Sequence, residues 1–100
     1  MHRSLDDPDS RWQCAEPASL LWEDWGSAYS IFSAATGETH LLAVLPAEVL
    51  RQLTRSRPRI GELAETLATL CETDNSEEWQ RKIAAIVENL HSLELVRRVP

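Results

Sequence analysis

At Pro46 the hydrophobic pattern of this chain changes its repeat, from about two residues to about 3.6. A proline suits the first turn of a helix, because the N–H it lacks would be unpaired there anyway. The change therefore divides the sequence into a strand-rich first half and a helical second half. From Trp12 to Leu45 the chain reads as β. Leu20 to Trp25 is a short apolar and aromatic run that stops at Gly26-Ser27, Ala28 to Ser33 resumes with β-forming residues, and Thr36-Gly37-Glu38 supplies a turn before Thr39-His40-Leu41-Leu42. Runs separated by glycine-containing turns pair as hairpins, and three of them make a meander.

Beyond Pro46 the spacing predicts three helices. Val49, Leu50 and Leu53 mark the first, which Arg55-Ser56-Arg57-Pro58 breaks. Ile60, Leu63, Ala64, Leu67, Leu70 and Cys71 share one face of the second. In the third, Trp79, Ile83, Ile86, Val87, Leu90 and Leu93 form one stripe. Asn75 followed by Glu78 resembles a capping box, and Glu77-Glu78 suits the positive end of the helix dipole. Leu95, Val96 and Val99 continue as a short extended tail. The expected order is β-β-β-α-α-α, an α+β fold with a three-stranded antiparallel sheet.

One hundred residues make one domain. Residues 1–10, with Asp6, Asp7, Pro8 and Asp9, read as a mobile tail, and residues 11–100 as the domain. The net charge of -6 disfavours nucleic acid and anionic membrane. No apolar run is long enough to span a bilayer, and the N-terminus carries no secretory signal, so the expected compartment is the cytoplasm. Cys14 and Cys71 lie far apart and read as two partly buried thiols. His2, His40 and His91 are scattered without metal-ligand spacing, and no nucleophile, phosphate-loop or dinucleotide motif is present. The sequence thus points away from an enzyme, a metal site and a cofactor.

Taken together, Leu20-Leu21-Trp22, Thr39-His40-Leu41-Leu42, Ala47-Glu48-Val49-Leu50, Glu62-Leu63-Ala64 and Leu90 to Val96 form a pattern. This pattern resembles the PqqD-like proteins, the recognition elements for ribosomally made, modified peptides. Within that family it is similar to the branch associated with HPr-kinase-related proteins, and the resemblance covers about residues 12 to 97. Ala43 and Leu45 depart from the family pattern at the strand-to-helix corner. The resemblance implies a winged-helix-like fold, and a chaperone-like function in which a leader peptide adds as an extra strand to the third strand and lies against the third helix. It also implies a modifying enzyme or an HPr-kinase-related protein as partner.

The residues that would carry this binding are Thr39, His40, Leu41 and Leu42 on the strand, with Lys82, Ile83, Ile86 and Asn89 on the helix. Gln80, Ala84 and His91 flank the other side of the helical stripe, so either flank can border the groove. Alternation puts His40 on the face of Leu42, where it reads as a satisfied structural histidine. Trp79 reads as core, and Trp22 or Trp25 as a candidate exposed anchor. Arg51, Arg55, Arg57 and Arg59 form the basic cluster: a solvated surface, an acidic-partner patch or a nucleic-acid contact. Two other readings compete, a winged-helix DNA binder and a homodimerisation module that uses the same strand edge.

Overall fold

A computed structural model describes residues 9–100. Its strands are β1 (Trp12–Cys14), β2 (Leu20–Asp24), β3 (Ala28–Ser33), β4 (Glu38–Ala43) and β5 (Val96–Arg98), and its helices are α1 (Val44–Arg55), α2 (Ile60–Leu70) and α3 (Glu77–Ser92). The meander is the expected one. β2, β3 and β4 pair antiparallel in that order, with Trp22 opposite Ile31 and Ile31 opposite His40. Gly26 (φ 92°) and Gly37 (φ 77°) make the two reversals, where a side chain would be strained. Pro46 lies in the first turn of α1, which follows β4 without a loop.

The β-β-β-α-α-α order needs one correction. The segment read as an extended tail is a strand: β5 pairs antiparallel with β1, Trp12 facing Arg98 and Cys14 facing Val96, in a separate two-stranded sheet. Residues 1–8 of the expected tail lie outside the described residues. Ser10, placed in the same tail, is buried.

One face of each element meets a common core. The inner rows of the meander supply Leu20, Ile31 and Leu42; α1 supplies Ala47, Val49, Leu50 and Leu53; α2 supplies Leu63, Ala64 and Leu67; and α3 supplies Ile83, Val87 and Leu90. Trp12, Cys14, Leu95 and Val96 close the core from the two-stranded side. Trp79 is partly buried at its edge and donates its indole N–H to the Ala64 carbonyl at 2.9 Å. Its position agrees with the periodicity.

The helix ends show where periodicity alone misleads. Leu70 and Cys71 are exposed, not part of the α2 core face, because α2 ends there in a left-handed turn at Glu72 (φ 54°). Ala68 is buried on that face instead. The cap of α3 is Ser76 rather than Asn75: its hydroxyl accepts from the Trp79 N–H at 3.1 Å. At the start of α2 the Glu62 carboxylate accepts from the Arg59 N–H at 2.9 Å, a cap the sequence did not advertise. After α3, Glu94 takes φ 64° and the Leu95 N–H reaches back to the Leu90 carbonyl at 3.0 Å. This closure turns the chain sharply into β5.

Candidate peptide-binding site

β4 is an edge strand, and among the described residues it pairs with β3 alone. Its outer side therefore carries unpaired backbone N–H and C=O groups that an extended chain can use. Alternation settles the side chains. Thr39 and Leu41 point to the outer face of the sheet, and Leu41 is 72% exposed. His40 and Leu42 point to the inner face, where Leu42 is buried in the core.

His40 does not behave as a satisfied structural histidine. Among the described residues its Nε2 is buried with no hydrogen-bond partner, and Glu38 Oε1 is 3.7 Å away. The row Trp22–Ile31–His40 ends at this edge, so a strand added beside β4 would set one of its own side chains next to His40.

The outer face is unusually apolar for an open sheet. Leu21, Phe32 and Thr39 lie in one cross-strand row, and Glu23, Ser30 and Leu41 in the next. Leu21 and Phe32 are exposed, as is Trp25, whose indole N–H reaches the Ser30 hydroxyl at 3.2 Å. Trp25 is thus the exposed member of the Trp22/Trp25 pair. Trp22 turns inward and meets Tyr29 edge-on, ring centres 6.2 Å apart, with the Arg51 guanidinium 5.2 Å from both rings. These ring contacts tie α1 to the inner face of the sheet, and Glu48, one turn back on the same helix, pairs with Arg51 at 3.3 Å. From Trp12 to Leu50 there is no lysine or arginine, whereas Glu16, Glu23, Asp24, Glu38 and Glu48 are present. The meander itself carries Glu23, Asp24 and Glu38 and no lysine or arginine.

The helical half of the expected site is arranged differently from the strand half. α3 packs chiefly on α2, α1 and β5, and the helix packed most closely on β4 is α1. Ile83 is wholly buried and Ile86 partly so; Lys82 and Asn89 are exposed. Lys82 borders a shallow depression with Thr73, Asp74, Ser76 and Trp79, beside the turn that precedes α3. Gln80 and His91 on the other flank are exposed as well, but His91 rests edge-on against Trp12 with ring centres 5.5 Å apart. Within reach of α3, then, the strand edge and the Lys82 depression are separate features.

Two titratable groups are displaced from ordinary behaviour. Burial pushes the Cys14 thiol up, so it stays protonated. The Arg59 backbone N–H holds the Glu62 carboxyl below its usual range, with smaller help from Arg11 and Arg59 charge. Cys71 is exposed, so only one of the two thiols belongs to the interior. Among the described residues no cluster of histidine, cysteine and carboxylate side chains could hold a metal ion. Among the described residues no helix is long and apolar enough to cross a membrane.

The exposed row of Leu21 and Phe32 is not legible in the sequence, because strand register decides which side a residue takes. The four arginines, close together in sequence, are likewise separated by the fold. Compared with known proteins, the chain matches no family model, no curated protein and no solved structure.

Proposed function

We propose that this chain is a non-catalytic binding subunit that holds an extended segment of a partner polypeptide as a fourth strand beside β4. The observation that carries this reading is the edge of β4, unpaired among the described residues, next to an inward His40 whose Nε2 has no hydrogen-bond partner among them. Each added backbone hydrogen bond contributes about 0.5–1.5 kcal/mol net. Four or five of them roughly offset an association cost of about 4 kcal/mol or more. Side chains beside the edge must then supply the affinity, and His40 with exposed Leu41 and Thr39 stands there. The resemblance to PqqD-like proteins makes a peptide destined for a modifying enzyme, or an HPr-kinase-related protein, the expected partner. Of the helical residues that the resemblance brings to that groove, Lys82, Asn89 and part of Ile86 are accessible, whereas Ile83 is wholly buried in the core. A winged-helix DNA contact through α3 is the weaker reading, since Arg81 pairs with Glu77 at 3.5 Å and Glu78 and Glu88 add negative charge.

The test uses a displayed library of random dodecapeptides selected against the folded chain, followed by amide spectra of the isotope-labelled protein with each selected peptide. Strand addition shifts the Thr39–Leu42 amides and slows their hydrogen exchange, and Leu41→Pro abolishes binding while circular dichroism remains that of a folded chain. Selected peptides that leave the β4 amides unmoved would refute the proposal. A concentration-dependent dimer with protected β4 amides would replace it with self-pairing.

A further inference from the structure

The basic cluster Arg51, Arg55, Arg57 and Arg59 is one group in the sequence and three in the folded chain. Arg51 is spent beneath the meander against Trp22 and Tyr29. Arg59 lies at the start of α2 and pairs with Glu62 at 3.5 Å. Arg55 and Arg57 have no ion pair and no side-chain hydrogen bond among the described residues. They border a groove of about 570 Å³ between the C-terminal end of α1 and the strand β1.

Arg11 completes the cationic rim from the opposite wall. Its Nη1 donates to the Arg57 carbonyl at 2.9 Å and lies 3.4 Å from Glu62 Oε1. The Arg11 contact fixes the α1–α2 linker against β1, so the rim is held in place rather than left to a loose connection. Gln13 lines the same groove, and directly across the strand pair from it stands exposed Arg97. The floor is apolar, built from Leu53, Cys14 and Pro17. The carboxylate nearest Arg11, Glu62, is already engaged by Arg11 and Arg59.

We infer that this groove binds an acidic stretch of a partner polypeptide, with spaced carboxylates on the arginines and an apolar side chain on the floor. Charge complementarity selects the ligand class. A single phosphate fits less well, because it needs several donors converging on one point. Here the Thr54 and Ser56 hydroxyls already donate to the Arg51 and Gln52 carbonyls, and the Ser56 N–H donates to Gln52. What remains is a set of long guanidinium side chains on two walls, separated by apolar surface. This site lies away from the β4 edge and does not depend on strand addition.

The probe is the acetylated hexapeptide amide Glu-Glu-Leu-Glu-Glu-Leu, titrated into the labelled full chain. Its counterpart with glutamine in place of every glutamate controls for apolar contact. The acidic peptide is expected to shift the Gln13 and Arg55–Arg57 amides saturably and to leave Thr39–Leu42 unmoved. Its affinity should fall as ionic strength rises from about 0.05 to about 0.3 M. The double variant R55A/R57A, which removes two exposed and unpaired side chains, should bind at least about fivefold more weakly. Equal binding of the glutamine peptide, or unchanged binding by the double variant, would overturn the assignment. Saturable shifts of the same amides by inorganic phosphate, or by a short random duplex, with no response to the acidic peptide, would also overturn it and name a different ligand.

Discussion

The two sheets of this small fold divide the work unequally. The β1–β5 pair has three residues on each side, yet Trp12, Cys14 and Val96 are all core residues. Trp12 is wholly buried, with His91 edge-on to it and the Arg98 guanidinium 5.5 Å from its ring. The β2–β3–β4 meander is larger and carries more backbone hydrogen bonds, but one whole face of it is open, with Leu21, Phe32 and Leu41 exposed. The comparison teaches that strand length is a poor guide to what holds the fold. Burial is the better guide, since a hydrogen bond to solvent is nearly as good as one to a neighbour, whereas apolar surface removed from water is stabilising. The short pair fastens the chain ends to the helices; the long meander presents surface.

The largest test of this contrast is Trp12→Ala. It should cost about 3–5 kcal/mol, because it leaves a large cavity under β5, and the urea midpoint measures it. If the loss were below about 1 kcal/mol, the short sheet would be dispensable and the contrast would fail. Glu94→Gly should act in the opposite direction. Its left-handed backbone (φ 64°) disfavours a side chain, so glycine should stabilise the turn into β5 by about 0.5–1 kcal/mol.

A third test concerns how β1 is tied to α2. Glu62 has a lowered pKa in the folded chain, so its contribution to stability is present above the ordinary carboxylate value and is lost as pH falls through the folded value. Glu62→Gln should therefore flatten the acid limb of the stability profile and leave the profile near neutral pH similar in shape. Acid titration of the two proteins, followed by circular dichroism, measures the difference. The smallest effect belongs to the open face. Leu41→Ser should change stability by no more than about 0.5 kcal/mol, since Leu41 is largely in water already. A loss comparable to Trp12→Ala would show that the outer face is covered by a second copy.

Several features were legible because they are local. The turns at Gly26 and Gly37, the strands they join, the helical stripe from Trp79 to Leu93, and the pairing of His40 with Leu42 on one face follow from short-range periodicity. The candidate strand was legible for the same reason, and β4 is an edge in the folded chain. What failed was extrapolation past an element end. Leu70 and Cys71 continue the α2 pattern on paper, but the helix ends at Leu70 and both side chains are left exposed. The cap of α3 moved by one residue, from Asn75 to Ser76, which is within reach of the same capping chemistry.

By itself, then, the amino-acid sequence determined the α+β class, the meander, the three helices and the acidic balance of the first half. All of these depend on neighbours a few residues apart, where steric preference and amphipathic period act directly. Only the tertiary structure decided that Trp12–Cys14 and Val96–Arg98 pair, that Leu21 and Phe32 share an exposed row, and that Arg55 and Arg57, unlike Arg51 and Arg59, find no partner among the described residues. Those outcomes turn on contacts between distant parts of the chain. A strand of three residues has too little periodicity to be read, and an arginine's partner is whichever carboxylate, ring or carbonyl the packed core brings within reach.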